Sequence, residues 1–353
     1  MKRKILMATW CLSCAVAAFA YNPPISGESL DRIVSPTQLT AASSSAGGGI
    51  FNIGPDAIVF NPALIAYEQR ITLDAAYTQL FSVQKNNNRR LGWTFQGGFL
   101  IPSKWFVASG ILKGTFLPID EMRVGNIIST NVAIAKEVSE RISVGFGING
   151  GFFWGAGPSW SLGASLGVLY RRPTLGFMKD FRVGASVIDL GKNYMTALAG
   201  IYGNKPSGMF PMLGTTHVGV AALLFSTDYV KGGASLELIA PGFQNLIVAT
   251  GFHFAVNDAL YIRIAEEINV RETVAGYANY MPSVSLGYCF SFKSKKSNYL
   301  ASNGWSQSEM TANAAWQQLY KTVHAVSANV KINLGMRDTE PPRIELWMDE
   351  EDE

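Results

Sequence analysis

Ser283-Val284-Ser285-Leu286-Gly287-Tyr288-Cys289-Phe290-Ser291-Phe292 alternates without a break. In an extended chain Val284, Leu286, Tyr288, Phe290 and Phe292 share one face, and Ser283, Ser285, Gly287, Cys289 and Ser291 share the other. The same period of two returns at 142–149, where Ile142, Val144, Phe146 and Ile148 oppose Ser143, Gly145, Gly147 and Asn149. It returns again at 162–170 and at 326–334. One face is apolar or aromatic throughout; the other carries Gly, Ser, Thr, Asn and charge. A soluble sandwich also alternates, but it hides the apolar face and needs a charged exterior. Only 16% of the 353 residues are charged, while 12% are aromatic. Aromatics also recur near strand ends (Trp93, Trp105, Phe152, Tyr170, Phe181, Phe254, Phe292), as in the girdles at a lipid–water boundary.

Beyond residues 1–20, no uncharged apolar run reaches the ~18 residues of a spanning helix. A membrane chain without such a run must satisfy its backbone between strands, in a closed barrel. The expected fold is therefore all-β, a transmembrane antiparallel β-barrel. Weaker alternation at 71–82, 91–101, 105–116, 127–136, 181–187, 216–225, 230–239, 244–256 and 259–267 brings the count to thirteen. Bacterial single-chain barrels have even numbers of strands. The missing one is assigned to 305–314: its Ala and Gln content suits a helix, but Ser306, Ser308, Met310, Ala312 and Ala314 can form one strand face. About fourteen strands, with both termini periplasmic, are expected. Short connections at 102–103, 138–140, 227–228 and 257–258 suit the periplasmic rim; longer ones at 84–90, 117–126, 189–214 and 268–281 suit the outside. Residues 172–180 are long for a periplasmic turn, and 240–243 are short for an external loop.

Ahead of the barrel stands Gly54-Pro55-Asp56-Ala57-Ile58-Val59-Phe60-Asn61-Pro62-Ala63-Leu64-Ile65-Ala66-Tyr67. Each proline removes a donor and restricts its predecessor, so a short helix near 56–60, broken at Asn61-Pro62, is expected. Such a segment reads as a compact apolar plug. Residues 1–20 read as a secretory signal: Lys2, Arg3 and Lys4, an apolar core, then Ala18-Phe19-Ala20. Lipidation of Cys14 is the rival reading, though Cys11-Leu12-Ser13 is a poor lipobox. After cleavage only Cys289 remains, so no internal disulfide is expected. The chain divides into the signal at 1–20, a lead-in and hatch at 21–68, a barrel at 69–336 and an acidic periplasmic tail at 337–353.

Asn61-Pro62-Ala63, after a Gly/Ala/Ser-rich leader and before a strand, resembles the N-terminal hatch of the FadL family. The chain is also similar to PorV-type barrels and to a group of uncharacterised spirochaetal outer-membrane proteins. The resemblance implies a fourteen-stranded outer-membrane barrel whose N-terminal segment folds into the lumen and plugs it, with Asn61, Pro62 and Ala63 in the hatch. It implies passage of small hydrophobic molecules, long-chain fatty acids foremost, by capture at the outer rim, displacement of the hatch, and exit sideways or to the periplasm. A PorV-like partner barrel for secretion or surface attachment is the first alternative, with 189–214 as its longest docking loop; a structural or adhesive surface barrel is the second. The last strand lacks the family's terminal aromatic, and the chain continues past it.

Little else carries chemistry. His217, His253 and His324 are scattered, and no metal spacing, phosphate loop or nucleotide fingerprint is present. The protein is expected to be no enzyme and to use no cofactor. A net charge of +3 is too small to imply nucleic acid. The expected partners are outer-membrane lipid, a hydrophobic small molecule and the assembly machinery, around a monomer. Inward parity gathers Asp74, Lys113, Arg171, Arg182, Glu237, Arg263 and Glu267, which could pair within the lumen, hold the hatch or orient a carboxylate. Gly97, Gly98, Gly232 and Gly233 mark bulges, an opening in the wall, or room for the hatch.

Overall fold

The computed structural model describes residues 22–23, 27–40, 44–47, 53–83, 91–117, 125–154, 158–192, 214–293, 307–320 and 322–335. The signal read at 1–20 with its Cys14 alternative, the tail read at 337–353 and residues 193–213 of the long connection lie outside them. Among the described residues fourteen strands form one closed barrel. They are β1 (Thr72–Ser82), β2 (Leu91–Pro102), β3 (Val107–Leu117), β4 (Gly125–Ser139), β5 (Ile142–Trp154), β6 (Pro158–Leu175) and β7 (Met178–Lys192). The second half is β8 (Thr215–Ser226), β9 (Val230–Pro241), β10 (Ile247–Val256), β11 (Leu260–Asn269), β12 (Ser283–Lys293), β13 (Gln307–Tyr320) and β14 (Val323–Asn333). Each strand pairs antiparallel with its sequence neighbours, and β1 closes the ring on β14.

The two-residue period sets which side faces out. Along β1, Thr72, Asp74, Ala76 and Thr78 are buried while Leu73 and Tyr77 are exposed. Around the ring the exposed face is apolar, as at Ile148, Leu166, Leu236, Phe252 and Leu286. An apolar exterior on a sheet whose strands close into a ring is the surface a bilayer solvates. Leu236→Arg, at mid-height of β9, is accordingly expected to cost about 2–4 kcal/mol of folding free energy. Urea titration of folding into vesicles measures it, and Ser235→Thr, on the opposite face, is the control.

Several boundaries differ from the expectation. The 172–180 connection is not long, because β6 and β7 run on to a two-residue turn at Gly176 and Phe177, with Gly176 at φ 63°. β10 starts at Ile247 rather than 244, since residues 242–246 turn back between strands. The weak strand at 305–314 is the front of β13, with Thr311, Asn313 and Ala315 buried and Ala312 and Ala314 exposed. Gly97 and Gly98 carry no bulge: β2 keeps unbroken register with β1 and β3. Gly232 and Gly233 do face an irregularity, between Leu223 and Phe225 of β8, where the Phe225 ring lies over Gly232.

Candidate functional site

Residues 27–67, where described, lie against the inner face of the barrel. Four short helices shape them: the first helical turn is Gly27–Arg32, and the other three each have proline in the first turn, where a missing N–H costs nothing. Ser35 precedes Pro36–Leu39 and its hydroxyl accepts from Gln38 N at 3.3 Å; Gly54 precedes Pro55–Val59. Asn61 precedes Pro62–Tyr67, and its Oδ1 accepts from Ala63 N at 2.9 Å. The break expected at Asn61-Pro62 is thus the cap of a second helical turn. Ile58, Phe60, Leu64 and Ile65 are at most 3% exposed and pack on the inward residues Leu100, Ile111 and Leu169. Burial of such side chains contributes about 1.5–3 kcal/mol each.

Why the segment sits so close is read from the wall. Inward Gly145, Gly167, Gly184 and Gly219 occupy neighbouring positions on β5 to β8. A Cβ at Gly167 would lie 1.9 Å from Asn61 Oδ1, and one at Gly184 1.8 Å from the Ser45 carbonyl oxygen. One at Gly145 would meet the Pro62–Ala63 peptide at 2.4 Å. These positions admit no side chain, so backbone lies on backbone. Asn61 is wholly buried there: its Nδ2 donates to Ser45 O at 2.7 Å and to Val168 O at 3.0 Å.

Polar groups fasten the segment at several heights. Gln38 donates to Gln96 at 3.1 Å, and Gln96 and Asn329 donate to Asp74 at 3.2 and 2.8 Å. Ser35 donates to Asp56 at 2.7 Å, and Lys331 Nζ donates to Ile53 O at 3.1 Å. Glu237 accepts from Ser45 N at 2.9 Å and meets His217 Nδ1 at 2.9 Å. Glu267 pairs with Arg32 at 3.0 Å. At the opposite end the Arg171 guanidinium lies 5.2 Å over the Tyr67 ring, and Arg70 bridges Glu68 and Glu309 at 3.1 and 2.7 Å.

All seven charges singled out by parity are on the inner face. Asp74, Glu237, Glu267 and Arg171 engage the segment or its first neighbours, and Arg182 abuts Gly47 while pairing with Asp180. Lys113 and Arg263 are buried, Arg263 between His253 and Ser285 across the ladders. Arg32, Ser35, Gln38 and Asp56 were missed because they lie in an aperiodic stretch; Gln96 and Asn329 look like any lumen-lining amide. The histidines do not meet: His324 stacks outside between Phe81 and Trp316, whereas His217 and His253 are buried on the inner face.

Glu28 supplies a pH dependence. Burial pushes its carboxyl above the ordinary value of 4.5, and Glu267 adds to that, while hydrogen bonds from Asn245 and Asn269 oppose it. A raised carboxyl favours the docked segment fully below about pH 4.5 and loses that contribution as pH rises through the raised value. Protection factors of residues 27–40, that is, hydrogen exchange normalised to the intrinsic rate at each pH, are therefore expected to fall from acid towards neutral pH. Glu28→Gln should flatten that profile.

No family model matches the chain, and no curated protein does. Solved structures do. The Pseudomonas putida toluene transporter TodX superposes with a TM-score of 0.52 at 9% identity, over 84% of this chain and 97% of that one. The Ralstonia pickettii toluene transporter TbuX gives 0.50 at 14%, over 87% and 99%. The monoaromatic hydrocarbon channel CymD gives 0.50 at 12%, over 86% and 97%. At such identities the likeness shows a shared fold.

Proposed function

We propose that this protein is an outer-membrane channel for small hydrophobic molecules, with long-chain fatty acids as first candidates, gated by its N-terminal segment. The observation that carries this reading is the glycine groove of β5 to β8, which seats residues 45–46 and 61–63 against the wall through contacts that displacement would break. The shared fold supports it, since the proteins named above are described as toluene transporters and a hydrocarbon channel. The apolar exterior supports a lipid-embedded barrel, and the closed sheet with a filled lumen suits a gated pore better than an open one. The partner-barrel alternative rests on a connection, 193–213, that lies outside the described residues.

The test is reconstitution in liposomes with radiolabelled palmitate and toluene. Saturable uptake of either, faster and less selective when residues 21–67 are deleted, is the expected result. A barrel that folds in the bilayer yet passes neither molecule, with or without that deletion, overturns the proposal.

A further inference from the structure

Among the described residues, the wall is interrupted on its outer half between β11 and β13. β11 and β12 share six register pairs, Leu260↔Tyr288 to Ala265↔Ser283, while the ladders on either side have ten. β11 continues to Asn269 along β10, and β13 continues to Tyr320 along β14, so no strand lies between residues 266–269 and 317–320. The space is bridged by the helix Val270–Val274 and residues 275–282, which touch the far side where Asn279 Nδ2 donates to the Gln318 carbonyl. Beneath this bridge is a cleft of about 40 Å³ lined by Glu267, Glu272, Asn279, Met281, Gln317 and Gln318. That is room for a head group of a few atoms and not for an acyl chain.

Three further features bear on an occupant. Outside, Ile268, Val274, Tyr280 and Met281 form an exposed apolar collar. The seam adjoins the Trp316–His324–Phe81 stack, an aromatic cluster of the kind that marks the lipid–water boundary. Behind, Glu267 holds Arg32 of the N-terminal segment at 3.0 Å, while Arg32 Nη1, in a residue 8% exposed, finds no protein acceptor.

The geometry points to a head-group site in this seam for a single-chain amphiphile held in the surrounding lipid, whose occupation loosens the N-terminal segment through Glu267 and Arg32. The inference rests on the channel reading and adds a site to it. The head group is uncharged and hydrogen-bonding (a hydroxyl, an amide or a protonated carboxylic acid), because Glu267 and Glu272 disfavour an anion while the amides accept and donate. The chain lies on the collar. A head group that draws Glu267 away leaves Arg32 without its partner and releases the first helical turn from β11.

Full-length protein in liposomes, treated with hexadecanol carrying a photoreactive diazirine near its hydroxyl, tests the site. Labelling is expected on residues 278–283 and 317–319, with proteolysis of residues 27–40 accelerated about tenfold on addition of hexadecanol. Asn279→Cys with Gln318→Cys in a Cys289→Ser background, oxidised to a disulfide, should abolish both effects, and reduction should restore them. Leu286→Cys with Ala314→Cys, across the intact β12–β13 ladder, should abolish neither. Labelling elsewhere, or acceleration that survives the seam disulfide, overturns the inference. These readouts do not depend on transport, so failed uptake with labelling at the seam counts against the channel reading alone.

Discussion

Gly167→Leu is expected to expel the N-terminal segment from the lumen while the barrel remains folded. A Cβ at this position would stand 1.9 Å from Asn61 Oδ1 and 2.9 Å from Pro62 Cδ, a separation that no rotamer change in the leucine can relieve. Neither neighbour can yield freely, because Asn61 is hydrogen-bonded on three sides and Pro62 has a fixed ring. Overpacking of this kind costs about 1–3 kcal/mol where the surroundings adapt. Here the cheapest adaptation is undocking. The ladders of β6 are backbone interactions that the leucine does not touch, so the variant should still migrate as a compact, heat-modifiable barrel. Planar-bilayer conductance should rise well above wild type, and protease should cut between residues 45 and 67. A variant as closed and protected as wild type would show that the segment does not depend on the groove.

Asn61→Ala is expected to have the second-largest effect, by a different route. The substitution removes two donated bonds, to Ser45 O and Val168 O, and the cap on Ala63 N, all in a site with no exposure. A lost helix cap costs about 1 kcal/mol, and leaving the buried Ser45 carbonyl without its donor about 1–3 kcal/mol. Together they amount to several kcal/mol, set against a docked segment and not against the whole barrel. Asn61→Asp separates the contributions. Its carboxylate can still accept from Ala63 N but cannot donate to either carbonyl, and it brings negative charge beside both. It should therefore undock the segment as fully as alanine, whereas loss of the cap alone would leave aspartate near wild type. Hydrogen exchange of residues 44–47 and 53–67, with β1 to β14 as internal reference, distinguishes the two.

Much of this molecule was legible before any coordinate. Strand by strand, the two-residue period located the wall, because a strand between lipid and lumen must present different chemistry on its two faces at every step. The front of β13, whose Ala and Gln content suits a helix, is assigned only because such barrels have even strand numbers. The same parity singled out Asp74, Glu237, Glu267 and four other charges. It could not say what they hold. Asp74 is linked to the N-terminal segment through Gln96 and Gln38, and Glu237 meets Ser45 across 192 residues of sequence.

The boundaries that went astray, at 172–180 and 244–246, are turns, where a single glycine or a hydrogen bond outweighs periodicity. The glycines show the division best. Gly97, Gly98, Gly232 and Gly233 drew notice as adjacent pairs inside strands, and of these Gly98 does face the segment, where a Cβ would lie 3.0 Å from Pro55 Cβ; but Gly145, Gly167, Gly184 and Gly219 hold it more closely. They are far apart in sequence and become one groove only once β5, β6, β7 and β8 stand in register. So the sequence by itself determined the barrel, its two faces and the short helix near 56–60, all of which follow from local period and local backbone restriction. Tertiary structure alone decided which wall receives the N-terminal segment, which amides and carboxylates fasten it, and that the wall parts between β11 and β13. Those features depend on register between distant strands, and no local pattern encodes it.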